Sequence, residues 1–140
     1  MSSGPPLLVI DTSVAVKWYV SQGEDHVEAA WSLLQDHHAE RCVLAAPAHL
    51  RLELMNVLKN RGYTGSMLLD ACDRLDLAFL EWHDLDGALV RAAAGLAAHH
   101  NLTLYDAAFA ALALALDAEL VTADRRLAAS GAGRVRLLGG

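Results

Sequence analysis

Four carboxylates, Asp11, Glu53, Asp106 and Asp124, are spread over most of a 140-residue chain. Each lies at or near the place where an apolar run gives way to a helix. Like charges gathered in one place oppose one another's ionisation. A hard divalent cation such as Mg²⁺ or Mn²⁺ removes that conflict, because it prefers carboxylate oxygens and retains waters. With a phosphodiester as substrate, such a site could hold a phosphoryl oxygen, acidify a water for in-line attack and stabilise the leaving oxygen. Short hydroxyls stand beside two of the acids. Thr12 and Ser13 follow Asp11, and Thr122 precedes Asp124. They are suited to orienting carboxylates or metal waters, and equally to ordinary strand-end and capping bonds.

The elements that must position these acids follow from the hydrophobic pattern. Leu7–Ile10 is an apolar run that stops at Asp11, as a buried parallel strand does. Cys42–Ala46 (closed by Pro47), Ala78–Trp82, Leu120–Thr122 and Val135–Leu138 read as four further strands. Helical periodicity covers Glu24–His38, Pro47 to about Asn60, Thr64–Leu75, Asp84 or Asp86 to His99, and a helix opened by Thr103. A short amphipathic piece follows Thr12, and a short helix follows Asp124. Pro47 suits a first helical turn. Glu24 and Asp25 suit the positive end of their helix, and a solvated His37–His38 pair the negative end. Tyr105, Phe109, Leu112 and Leu116 form the expected inner stripe of the Thr103 helix. This alternation predicts an α/β fold: a parallel sheet with helices on both faces, in one domain spanning residues 1–140.

Each acid also has an ordinary structural role open to it. Asp11 and Asp124 can be helix N-caps. Asp106 completes a capping-box spacing with Thr103. Glu53 lies on the rim of a buried helix face, beside Leu50 and Val57, where pairing with Arg51 or Lys59 would account for it. Taken together they read differently. If the fourth strand lies beside the first, Asp11 and Asp124 meet at the carboxyl edge of the sheet, where open α/β folds keep their ligands. Helices starting at that edge would bring Glu53 and Asp106 to the same crevice.

Composition narrows the classes. The chain is 54% hydrophobic and 20% charged, with 11 basic and 17 acidic residues and a net charge of −6. This is a folded domain rather than a disordered one. Its acidity opposes indiscriminate adhesion to nucleic acid but leaves room for local cations. Ala107–Leu116 is the longest uncharged apolar run of concern, well short of the roughly 20 residues that span a bilayer. Residues 1–6 carry no basic segment and no long apolar segment before Asp11, so no signal peptide is expected. Cys42 and Cys72 lack metal-type spacing and suit buried thiols of a cytoplasmic protein. The Gly-rich phosphate loops, the Gly-x-Ser-x-Gly elbow and the His-Glu-x-x-His zinc motif are all missing. A phosphoacceptor receiver domain would want paired acids after the first strand and a late lysine; only Asp11 stands there, and no lysine follows Lys59.

Val9-Ile10-Asp11-Thr12-Ser13, Pro47 with Glu53 and Asn56, Leu104-Tyr105-Asp106-Ala107-Ala108, and Val121-Thr122-Ala123-Asp124-Arg125-Arg126-Leu127 resemble, in this order, the PIN-domain ribonucleases. Within them the chain is similar to VapC-type toxins of toxin–antitoxin pairs, from Leu7 to about Leu138. The resemblance implies a three-layer α/β/α domain around a five-stranded parallel sheet of order 3-2-1-4-5. It implies that Asp11, Glu53, Asp106 and Asp124 bind Mg²⁺ or Mn²⁺ and cleave RNA. It further implies a homodimer, a VapB-type antitoxin partner and no membrane association. Lys17, Arg51, Lys59, Arg61, Arg125 and Arg126 are the candidate RNA-gripping cations. A non-catalytic PIN-like module that binds RNA or protein is the alternative.

Overall fold

A computed structural model describes residues 4–140. Residues 1–3, part of the stretch expected to carry no signal peptide, lie outside the described residues. Five parallel strands form one sheet: β1 (Leu7–Ile10), β2 (Val43–Pro47), β3 (Glu81–His83), β4 (Glu119–Thr122) and β5 (Val135–Leu137). Their spatial order is β3-β2-β1-β4-β5. The chain builds outward from β1 in one direction and then crosses to β4 on the other side. That reversal opens a crevice beyond the carboxyl ends of β1 and β4.

Among the described residues, seven helices connect the strands: α1 (Thr12–Ala15), α2 (Val27–His38), α3 (His49–Asn60), α4 (Gly65–Asp76), α5 (Gly87–His100), α6 (Leu104–Ala115) and α7 (Arg125–Ala128), with a 3-10 turn at Val16–Trp18 after α1. Helix α6 packs against β1, β2 and β4. Every residue from Ala107 to Ala113 is buried, so the small alanines let this helix lie close against the sheet. Val9, Ile10, Leu44, Leu120 and Val121 are fully buried on the strands, as are Leu50, Leu54 and Leu58 along α3. Each Å² of apolar surface they bury contributes about 25 cal/mol.

Several local expectations change. Pro47 closes β2 rather than opening α3. It sits against the short strand β3 and needs no amide donor at the end of the ladder. β3 begins at Glu81, not Ala78. Ala78 and Phe79 are instead spent on the turn closing α4, where Phe79 takes φ 53°. Helix α2 begins at Val27, leaving Glu24 and Asp25 in the preceding turn, because His26 adopts a left-handed φ of 55°. His37 and His38 stand in the last turn of α2 as expected, His38 exposed and His37 half-buried, and both also make backbone contacts. Their Nε2 atoms meet the carbonyls of Phe79 and Ala78, and His37 Nδ1 accepts from the Leu44 amide. Tyr105 leaves the inner stripe of α6 and is 63% exposed. Cys42 is buried and Cys72 partly so; both are free thiols. Among the described residues, no helix is long and apolar enough to cross a membrane.

Candidate functional site: an acidic cleft at the carboxyl edge

The parallel register pairs Ile10 with Val121, which brings the next residues, Asp11 and Thr122, side by side. Thr122 Oγ1 donates to Asp11 Oδ2 over 2.5 Å, and Ser13 Oγ donates to Asp11 Oδ1 over 2.6 Å. The Val14 amide also reaches Oδ1, at 3.3 Å, so Asp11 does cap α1. Asp11 is only 4% exposed. Burial pushes its carboxyl up to about 6; the hydroxyl and amide donors pull the other way, and the charge of Asp106 adds to the rise. A carboxylate this deep, held by two hydroxyl donors, is set to meet a positive charge.

The hydroxyl pair reaches further. Ser13 Oγ lies 3.2 Å from Thr122 Oγ1 and accepts the Ala123 amide at 2.8 Å. Thr122 Oγ1 accepts the Asp124 amide at 3.0 Å. The backbone leading to Asp124 is therefore fastened to the shell of Asp11. Asp124 caps α7 through Oδ1, which accepts from the Arg126 and Leu127 amides at 2.9 and 3.3 Å. No partner among the described residues takes its second oxygen.

Glu53 lies in the second turn of α3, which follows β2 directly. It accepts from Thr12 Oγ1 at 2.8 Å. Neither Arg51 nor Lys59 pairs with it. Arg51 instead binds Asp76 at 2.6 Å and lies 4.0 Å from the centre of the Trp82 ring. Asp106 lies in the first turn of α6, whose far end turns straight into β4, so this first turn stands at the carboxyl edge. The Asp106 amide donates to Thr103 Oγ1 at 3.1 Å, the capping bond expected from the spacing. The Asp106 carboxyl is raised first by burial and then by the charge of Asp124, against the opposing effects of Thr103, Arg126 and His49.

All four acids line one cleft of about 470 Å³. A larger cavity of about 770 Å³, walled by Pro5, His37, His38, Cys42 and Phe79 among others, lies at the amino ends of β1 and β2. Both His37 ring nitrogens and His38 Nε2 are spent there on backbone groups, whereas the four acids gather in the smaller cleft. Its acids line the walls without closing on a point. Among the described residues, no three His, Cys, Asp or Glu side chains stand together as a ready ligand set. Mutual repulsion accounts for this spread, as do the hydroxyl and amide bonds that hold Asp11, Glu53 and Asp124 to their own elements. The donor set is entirely oxygen, anionic and in part desolvated. It suits a hard divalent cation and does not suit a soft one.

A fifth acid, Glu24, also lines the cleft, with Lys17 and Arg61. Helical periodicity assigned Glu24 to the start of α2. The left-handed His26 sends it back toward the cleft instead, and no sequence pattern pairs it with Lys17 or with Arg61. Lys17, one of the candidate RNA-gripping cations, is only 6% exposed and bound to Glu24.

The sequence matches the PIN domain family over residues 8–132. No curated protein matches it. Among solved structures, the fold is similar to a toxin–antitoxin complex from Klebsiella pneumoniae, with a TM-score of 0.67 and 19% identity over 92% of this chain and 95% of that one. It is similar to Mycobacterium tuberculosis VapC20, described as a sarcin–ricin loop cleaving toxin, with a TM-score of 0.68 and 18% identity over 89% and 95% of the two chains. It is also similar to DNA-bound VapBC from Salmonella typhimurium, with a TM-score of 0.68 and 14% identity over 95% and 98%. At these identities the likeness is one of fold.

Proposed function

This chain belongs to the PIN domain family, and from that premise we propose that it is a Mg²⁺- or Mn²⁺-dependent endoribonuclease, the toxin of a VapBC-type pair. It hydrolyses RNA phosphodiester bonds through a metal-activated water. The observation that carries this reading is the convergence of Asp11, Glu53, Asp106 and Asp124 on one cleft at the switch point of the sheet.

In this reading Asp11, Asp106 and Asp124 hold the cation, and Glu53 is a further ligand or the base that orients water. When bound, the cation neutralises the carboxylates and supplies Lewis acidity to the phosphoryl group and the water. The chain's own contribution is orientation. Ser13 and Thr122 keep both Asp11 oxygens fixed, and Thr12 fixes Glu53. Asp124 offers the oxygen that does not cap α7. The buried setting of Asp11 strengthens its interaction with any positive charge that enters.

The partners follow the same reading: RNA as substrate, a VapB-type antitoxin that covers the cleft, a second copy of this chain in a homodimer, and a cytoplasmic setting. The solved toxin–antitoxin structures that share its fold support the antitoxin partner. One observation favours a second reading. The absence of a ready three-acid ligand set among the described residues suits a non-catalytic PIN-like module that binds RNA or protein.

Purified protein, free of antitoxin, decides between them when incubated with RNA in Mn²⁺ and in EDTA. Cleavage abolished by EDTA and by Asp11→Asn is the expected result. Cleavage indifferent to EDTA sinks the metal mechanism, and binding without cleavage leaves the non-catalytic module standing.

A further inference from the structure

The acidic cleft has a cationic end. Lys17 Nζ donates to Glu24 Oε1 at 2.9 Å and to the Asp25 carbonyl at 2.5 Å. Arg61 Nη2 donates to Glu24 Oε2 at 2.5 Å. Glu24 thus has both oxygens engaged, and its carboxyl is held below the usual glutamate value by these two cations, against the opposing effect of burial. The triad joins three elements: the 3-10 turn, the turn before α2, and the end of α3, where Arg61 is the C-cap. A cation is favoured at that negative helix end.

Five carboxylates and two cations line this cleft, a formal charge of −3. An RNA phosphate approaching it meets repulsion and needs a cation at the mouth. Lys17 cannot serve: it is 6% exposed and turned inward onto Glu24. Arg61 can. Its side chain is 35% exposed, and one of its five donors is spent on Glu24, leaving the rest of the guanidinium for an anion. Because Lys17 balances Glu24, the charge left over in the triad is that of Arg61. The other candidates stand elsewhere. Arg51 is tied to Asp76 and Trp82. Lys59 and Arg125 do not line the cleft. Arg126, whose charge reaches Asp106, lies outside the lining and turns its guanidinium toward the Asn101 carbonyl at 3.4 Å.

We propose that Arg61 holds a phosphate of single-stranded RNA at the mouth of the cleft, and that Glu24 and Lys17 are positioning residues that set its guanidinium there. The inference rests on the ribonuclease reading above and adds a substrate contact to it.

The test is steady-state cleavage of total bacterial RNA in Mn²⁺ over a series of KCl concentrations. It compares wild type with Arg61→Gln, Arg61→Lys, Glu24→Gln and, as a charge-matched control, Arg134→Gln at the amino end of β5. Loss of one phosphate contact on a single strand flattens the log–log salt dependence of kcat/KM by about 0.7. Arg61→Gln should show this flattening and a KM raised on the order of tenfold, with kcat within about twofold. Arg61→Lys should recover the salt slope, because it keeps the charge. Glu24→Gln should raise KM and flatten the slope in part, since it frees the guanidinium to leave the phosphate. Arg134→Gln should match wild type. A purely structural role for Arg61 would move the melting temperature and leave the salt slope alone. An Arg61→Gln enzyme with wild-type KM and slope overturns the inference while the ribonuclease reading survives. A wild-type protein that cleaves no RNA overturns both.

Discussion

Thr122 Oγ1 donates to Asp11 Oδ2 over 2.5 Å, although 111 residues separate the two in sequence. Thr122 is fully buried, and the same hydroxyl accepts the amide of Asp124. One side chain at the end of β4 therefore orients the acid that ends β1 and fastens the backbone of the acid beyond β4. Replacing it with Val keeps the shape and removes both bonds. Thr122→Val should lower RNA cleavage by about 10–100-fold, as loss of a carboxylate-orienting partner does. It should also destabilise the fold by about 1–3 kcal/mol, the cost of leaving a buried acceptor short of a donor. Cleavage rates and thermal melts check both. Wild-type activity in Thr122→Val would show that Asp11 needs no such orientation.

Asp11 should make the metal-free protein sensitive to pH. Its folded carboxyl titrates near 6 against an unfolded value of 3.8. Folding therefore favours the protonated form. The stability this provides is whole below pH 4, falls as pH rises toward 6, and stays lost above that. The loss is roughly 3 kcal/mol. In EDTA the melting temperature of wild type should drop across this window, and Asp11→Asn should flatten the drop. At pH 7.5 in EDTA the variant should be the more stable protein, while its cleavage falls to background. An equal pH dependence in both proteins would contradict the burial argument.

Asp124 has two jobs that two substitutions separate. Asn caps a helix about as well as Asp, whereas Ala does not. Asp124→Asn should keep the stability of the metal-free protein, and Asp124→Ala should lose about 1 kcal/mol. Wild type should show a saturable rise in melting temperature with Mn²⁺, and both variants should lose it. A Mn²⁺ response that survives in Asp124→Asn would remove Asp124 from the ligand set.

Glu24 balances the inward-facing Lys17. Its folded carboxyl is lowered, so its contribution is present above the ordinary glutamate value and is lost as pH falls through the folded one. Glu24→Gln leaves Lys17 without its counter-charge and should cost about 3 kcal/mol at neutral pH, with the deficit shrinking as wild type is acidified. Urea unfolding at pH 7 and pH 4 measures it. An unchanged midpoint at pH 7 would mean that solvent screens the pair.

The sequence by itself determined the carboxyl ends of β1 and β4 and the acids beyond them. Leu7–Ile10 read as a buried strand, because an unbroken apolar run of that length loses contact with water and is short for a helix, and Asp11 stood where that run stopped. Thr103 and Asn101 were equally legible, since a helix end declares itself by the side chain or left-handed residue that satisfies its backbone, whereas the choice between Asp84 and Asp86 was left to the structure, which has Asp86 as the cap. Local chemistry of this kind involves neighbours within four residues. It could not settle whether Asp11 and Asp124 were caps or site acids, and the structure shows that each caps a helix while lining the cleft. It misplaced Glu24, because the periodicity of α2 continues past a backbone reversal at His26 that no residue type required. It also turned Tyr105 inward, because a helical stripe indicates which side is apolar and not where the neighbouring element stops covering it.

Only the tertiary structure decided which hydroxyl meets which acid and how exposed each cation is. Thr122 reaches Asp11 because the β1–β4 register sets Ile10 against Val121, a relation between distant segments with no local code. Lys17 and Arg61 differ in the same way. Both are cations in the sequence, but packing buried one against Glu24 and left the other at the surface, and burial determines whether a charge is consumed by the fold or remains available to a substrate.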